Sequence, residues 1–466
     1  MKETKRLLKN TGIIAIGNLS TKVITFLLLP LYTSILSVEE YGTIDYIITL
    51  SLFTIPIVSF LMDEAIFRFL IDCKNFLEKK KIISSAVFIM FIGIVLFIVV
   101  MYPILYYIKY KYIFLYLLFT ITNIINMIIS SLLRGFGETN AYAIYNFLSS
   151  LLQIILNILF VAIFYWGILG MLSAMIIGKI IISIVYIFLL RLWKYISFKS
   201  VDKKLVYGLL RYSIPLVPSN LSWLTINLSS RLIIMNTMNS SYVGIYAISS
   251  KFSSIMDFIY SFFYQSWKES SARVMNDNDK NEFYNLVYKY LKSFMYPSVL
   301  LMIAIMPMIF SLLISDSFFD AINYIPILLI ATYFSNIAAF YGGIFTAYKD
   351  TKILGITTII SAVLNLVLMI IFIKYTDLGL YIVSIVTLFA NIVLYQYRKI
   401  KVKKYIILRE DNIKILLDWI LTTIILVLFY SMNQLLQFLG VIVAIIYILL
   451  MNHILIKKVI IKLIYK

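Results

Sequence analysis

The sequence is short of the residues that most active-site chemistry uses. In 466 residues there is one cysteine, Cys73, and one histidine, His453. A single thiol excludes an intramolecular disulfide. One Cys and one His on distant segments cannot supply the three or four N/S ligands of a zinc site. They read as a loop thiol and a helix-end imidazole, so neither a metal nor a cofactor is expected. Charge is scarce as well, at 14% of residues against about 25% in a soluble domain. Acidic residues are the scarcer sign, with 22 Asp and Glu against 41 Lys and Arg. Long polar segments are missing too, so no extramembrane domain is expected, and whatever the chain does it does within a bilayer.

What is abundant is apolar sequence, 62% of residues, with a mean hydropathy of +0.96. Runs of about 20 apolar residues match the ~30 Å hydrocarbon core of a membrane. Fourteen such runs follow one another: 11–36, 42–70, 82–108, 112–133, 140–165, 168–190, 208–236, 243–266, 284–313, 322–347, 353–373, 378–397, 413–431 and 434–455. Very short turns separate the pairs near 110, 166, 376 and 433, and merging one pair would leave thirteen. The first run follows a charged start, Met1-Lys2-Glu3-Thr4-Lys5-Arg6, and lacks a small-residue cleavage site, so it reads as an uncleaved span.

The net charge of +19 resembles a nucleic-acid signal until the positions of the charges are considered. With the N-terminus inside, 33 of the 41 basic residues fall in the termini, in the even-numbered loops or at the start of the run that follows such a loop, Arg398 among them. The outer loops hold only Lys109, Lys111 and Lys374. This is the positive-inside pattern of a membrane protein with both ends in the cytoplasm, and no nucleic-acid partner is implied.

Two stretches resemble each other at an offset of 202 residues. Asn18-Leu19-Ser20 matches Asn220-Leu221-Ser222, and Tyr41-Gly42 matches Val243-Gly244. Further echoes pair Gly137-Glu138-Thr139 with Lys349-Asp350-Thr351, and Leu156-Asn157 with Leu364-Asn365. The expected fold is therefore all-α and polytopic. Residues 1–200 (helices 1–6) and 201–405 (helices 7–12) form two parallel lobes with a central cavity between them. Residues 406–466 add two more helices and a basic tail.

Five cations lie inside apolar runs: Lys22, Arg68, Lys179, Arg231 and Lys251. A Lys or Arg at a helix centre costs roughly 2.5–3.5 kcal/mol on insertion scales, so such residues tend to face a cavity and act there. Arg68 can instead pair with Glu64 one turn away, and Lys179 can serve lobe packing. Lys22, Arg68, Arg231 and Lys251, with the polar Asn18, Asn220 and Asn227, are the candidate cavity lining. No carboxylate adjoins Arg231, since Ser230 precedes it. A cavity of this sign favours an anion, and phosphate suits Lys and Arg donors. Pro215 and Pro218 predict a bent seventh helix that can act as a hinge. Ser37 with Glu40 three residues on predicts a capping box opening the second helix.

In order and spacing these segments resemble the Wzx-type polysaccharide transporters of the multidrug/oligosaccharidyl-lipid/polysaccharide (MOP) flippase superfamily, over nearly the whole chain. The pieces are Asn18-x-x-x-Lys22, Phe26-Leu27-Leu28-Leu29-Pro30-Leu31-Tyr32-Thr33, Leu36-Ser37-x-Glu39-Glu40-Tyr41-Gly42 and Asp63-Glu64-Ala65-x-Phe67-Arg68-Phe69. Further on come Leu133-Arg134-Gly135, Tyr212-Ser213-x-Pro215-Leu216-x-Pro218, Arg231-Leu232 and Gln265-x-Trp267. Many relatives have a glycine where this chain has Leu61-Met62, and an Asp where it has Ser230.

The resemblance implies a flippase, not an enzyme. The cargo would be an undecaprenyl-pyrophosphate-linked oligosaccharide, moved across the bacterial cytoplasmic membrane by alternating access for O-antigen, capsule or exopolysaccharide synthesis. Its partners would be the lipid-linked oligosaccharide, membrane lipids, and the polymerase and chain-length machinery. Coupling to protons, sodium or the membrane potential is left open. The alternatives are a cation-coupled multidrug exporter and a peptidoglycan-precursor flippase of the same superfamily. An O-antigen-type polymerase or ligase would want a large outer loop with catalytic Arg or His, which this chain lacks.

Overall fold

The computed structural model describes residues 26–464, apart from 27, 72, 74, 276, 278, 349 and 432. Among these residues there is no strand. The chain runs through α1 (Leu29–Ile35), α2 (Val38–Ser59), α3 (Met62–Ile71), α4 (Phe76–Tyr107), α5 (Ile113–Gly135), α6 (Thr139–Asn157) and α7 (Gly167–Leu189). It continues through α8 (Lys203–Ser213), α9 (Leu216–Thr237), α10 (Ser240–Val274), α11 (Lys280–Leu313), α12 (Ile325–Ala347), α13 (Thr351–Tyr375), α14 (Leu380–Val402), α15 (Asn412–Tyr430) and α16 (Gln434–Ile464).

The expected apolar runs after the first fall largely on these helices, the run 42–70 being divided between α2 and α3 and the run 140–165 extending beyond α6. Eleven helical spans among the described residues are long and apolar enough to cross a membrane. The chain is a multi-pass membrane protein. α9 and α10, which carry the seventh and eighth runs, fall outside that set; they also bear Arg231, Lys251 and the Asn- and Ser-rich stripe. The first run, with Asn18 and Lys22, lies mostly outside the described residues.

Helix starts are set by short polar side chains, as the backbone requires. Ser37 accepts from the Glu40 N–H at 3.2 Å while Glu40 Oε2 accepts from the Ser37 N–H at 3.0 Å, so the expected capping box is formed. Asp202, Asp350 and Asp411 cap α8, α13 and α15. Between α2 and α3, Phe60 (φ 50°) and Leu61 (φ 53°) both take left-handed backbone, and the second transmembrane run is broken there.

Packing divides the chain into two compact units, Met1–Gly244 and Ile245–Lys466. The repeat boundary near residue 200 is a different quantity. α8 and α9, which the repeat assigns to its second copy, pack with the first unit. The reason is local: the start of α2 meets the start of α10 backbone to backbone. A Cβ on Gly42 would stand 1.8 Å from the Ser240 carbonyl oxygen, and one on Gly244 would stand 2.2 Å from that of Val38. Both residue pairs, Gly42 with Gly244 and Val38 with Ser240, are related by the same 202-residue offset. Only glycine permits this approach.

In the second unit α15 and α16 are more than an appendage. They pack on α11. The Tyr296 hydroxyl of α11 lies 2.6 Å from that of Thr422, and Lys414 Nζ donates to Ser293 Oγ at 2.7 Å. Asn452 Nδ2 donates to the Ser293 carbonyl at 2.9 Å, and the Tyr447 hydroxyl donates to the buried Asp418.

Candidate functional site

α9 begins at a real interruption. α8 ends at Ser213, Pro215 caps α9, and Pro218 stands in its first turn, where a missing N–H leaves no bond unmade. Farther along, Ser222 and Thr225 hydroxyls donate to the carbonyls of Pro218 and Leu221, each at 2.8 Å. Part of the polar stripe is therefore satisfied by the helix itself. Asn220 is half-buried, and it shares a face with Arg231 eleven residues on. Asn227 lies between them on α9.

Arg231 is buried and has a counter-ion that the sequence did not reveal. Its Nε donates to Asp45 Oδ2 of α2 at 2.5 Å, with both side chains about nine-tenths covered. Ser230 leaves Arg231 without a carboxylate beside it in sequence, and the counter-ion comes instead from 186 residues away. The pair sits one helical turn beyond the Gly42–Gly244 contact, where α2 and α9 pack against each other.

The other candidates are dispersed. Arg68 is exposed on α3 and lines a cleft of about 610 Å³ in the first unit. Glu64, the expected partner of Arg68, is also exposed. Lys179 of α7 donates to Asn123 Oδ1 at 2.6 Å and lies over the Phe119 ring, which fits the packing role. Lys251 is half-buried on α10 in the second unit.

Sequence reasoning missed three further charged groups. Arg398, expected in a loop, is inside α14, because that helix continues past the charge to Val402. It is 6% exposed and among the described residues meets only neutral acceptors: the hydroxyls of Thr357 and Thr358 and the carbonyls of Ala338 and Leu354. Asp63, at the α2–α3 break, is buried with Oδ1 unpartnered, while its carbonyl accepts from Ser131. Glu410, in a loop rich in lysine, gathers Tyr288, Lys399 and Lys292. An acidic pair, Glu410-Asp411, amid basic residues was the signal for the last. Deep cations are therefore accompanied by deep carboxylates, Asp45, Asp63 and Asp418.

Solved structures share the fold, among them the following. A lipid II flippase, MurJ, in an inward closed conformation, is 16% identical with a TM-score of 0.69, over 96% of this chain and 99% of that one. An inward-facing multidrug resistance MATE family transporter of the MOP superfamily is 15% identical with a TM-score of 0.68, over 84% and 98%. A MATE transporter in complex with MaD3S is 16% identical with a TM-score of 0.57, over 85% and 96%. No curated protein matches the sequence. The profile of the family described as "Polysaccharide biosynthesis protein" matches residues 7–267, more than half of the chain. The chain therefore belongs to the polysaccharide biosynthesis protein family, and its fold is that of these MOP-superfamily structures.

Proposed function

We propose that the chain flips undecaprenyl-pyrophosphate-linked oligosaccharide from the cytoplasmic to the outer leaflet of the bacterial cytoplasmic membrane, with both termini cytoplasmic. The observation that carries this reading is the family match, laid over a fold shared with a lipid II flippase. The charges support it chemically. A pyrophosphate can replace Asp45 on Arg231 and offer the guanidinium a bidentate partner of the same sign. Lys22, Arg68 and Lys251 would serve the phosphates along the path, and Asn18, Asn220 and Asn227 the sugar hydroxyls. The polyprenyl tail stays in the lipid. Separation of α2 from α9 and α10 would then be the step that opens one side. A polymerase and chain-length machinery would consume the flipped product.

Transport of a peptidoglycan precursor is the second reading, favoured by the likeness to MurJ over 96% of this chain against 84% for the MATE transporter. The two cargoes share the lipid pyrophosphate and differ in the glycan. A deletion strain decides between them. Cytoplasmic accumulation of lipid-linked oligosaccharide with loss of surface polysaccharide is expected, whereas accumulation of lipid II would favour the second reading. Lys22→Ala and Arg231→Ala are each expected to abolish surface polysaccharide at normal protein level. Full polysaccharide in both variants would refute the role given to these cations.

A further inference from the structure

The 610 Å³ cleft between α3, α4 and α8 combines two chemistries. Its cations are Arg68 of α3 and Lys81 of α4, with Glu78 one turn before Lys81 as the one carboxylate among the described lining. Its walls are apolar: Phe69, Leu205 and Tyr212. Leu205 and Tyr212, seven residues apart, share a face of α8, while Lys203, Lys204 and Arg211 of that helix are exposed. Phe69 and Tyr212 meet edge to face at 6.0 Å. The wall is held in place from α4. Ser84 Oγ donates to the Tyr195 carbonyl at 2.9 Å, and Ser85 Oγ accepts from the Asp202 N–H at 3.1 Å. The volume lies within the roughly 300–1,000 Å³ of ordinary ligand pockets.

A soluble anion has no use for an aromatic wall, and a lipophilic cation is repelled by Arg68 and Lys81. An amphiphile with a phosphorylated head satisfies both parts. Lys79, Lys80 and Lys81 mark this end of α4 as the cytoplasmic side by the positive-inside rule. We infer that this cleft is a docking site for the pyrophosphate and first isoprene units of the polyprenyl cargo at the cytoplasmic leaflet. Arg68 and Lys81 hold the phosphates, and Phe69, Leu205 and Tyr212 hold the chain. This rests on the flippase reading and adds a place where cargo is held before it moves.

The chain carries its own reporter, because Cys73, its one cysteine, lines the same cleft and is partly exposed. The full-length protein in phosphatidylcholine nanodiscs is treated with a maleimide while undecaprenyl pyrophosphate or phosphatidylglycerol is added. Lipid binding is followed by native mass spectrometry in the same samples. Undecaprenyl pyrophosphate is expected to slow Cys73 labelling about tenfold at roughly ten times its Kd. Phosphatidylglycerol at equal concentration is expected to leave the rate unchanged. Arg68→Gln and Lys81→Gln should each raise the half-protecting concentration about tenfold, the loss of one charge-assisted hydrogen bond. Equal protection by phosphatidylglycerol overturns the proposal in favour of a general anionic-lipid site. Bound undecaprenyl pyrophosphate without protection overturns the site and leaves the flippase reading standing. No binding at all overturns both. The unmutated chain suffices for these three outcomes, so they do not depend on the variants folding.

Discussion

A guanidinium in hydrocarbon is costly unless its donors are met, and this chain meets them in two ways. Arg231 takes a carboxylate from another helix, whereas Arg398 takes hydroxyls and helix carbonyls. The cations were legible in the sequence because a charge interrupting an apolar run stands out. Their partners were not, since Asp45 looks like one more acid after Glu39 and Glu40, and Thr357 looks like any helix threonine. Glu410 gives this scale its test. Burial pushes its carboxyl up, but the hydrogen bond from Lys399, with Lys292 and Tyr288 beside it, outweighs burial and holds it below the ordinary glutamate value. A depressed carboxylate stabilises fully above its unfolded pKa of about 4.3 and loses that contribution as the pH falls through the folded value. Glu410→Gln is expected to cost about 1–3 kcal/mol at pH 7. In detergent it should show a lower melting temperature than the parent at neutral pH, and the gap should narrow as the pH falls from the unfolded glutamate value through the lower folded one. A gap of the same size in acid would show that Glu410 acts by shape and not by charge.

At the level of elements, breaks matter more than the helices around them. Hydropathy presented 42–70 as one run because it averages over Phe60 and Leu61, although the backbone there turns left-handed. Glycine would suit that geometry, and this chain holds it with bulky residues at a cost of roughly 1–2 kcal/mol per residue. The other break was legible from Pro215 and Pro218, because proline states its backbone angle in the sequence. If the α8–α9 interruption bends during transport, Pro215→Ala should reduce flipping severalfold while leaving protein level and melting temperature equal or higher. Unchanged transport in this variant would make the interruption a static feature.

For the whole molecule, the sequence made the order of runs and the loop charges legible, since both are local. It left open how the runs pack, which depends on contacts such as Gly42 on Ser240 that hydropathy does not register. The last two helices illustrate the difference. As sequence they have no repeat counterpart, yet their Thr422, Lys414 and Asn452 complete polar groups of α11. Truncation after Tyr405 would leave Tyr296 and Ser293 facing lipid. It is expected to deplete the protein from the membrane, as measured by immunoblot and by heat resistance of the extracted fraction. A truncated chain at full level and parental heat resistance would return α15 and α16 to the status of an appendage.

The contact of Gly42 with Gly244 has a bearing on the cell that makes this protein. Carbonyl against Cα leaves no channel for a hydrated ion and contains no group that titrates, so its tightness is independent of pH and salt. Any protein that moves a large headgroup through an energised bilayer risks a proton leak. Backbone pressed on backbone holds two helices together with no side chain at the contact. A side chain added at residue 42 would act as a wedge against the Ser240 carbonyl and the Gly244 backbone, forcing α2 away from the start of α10.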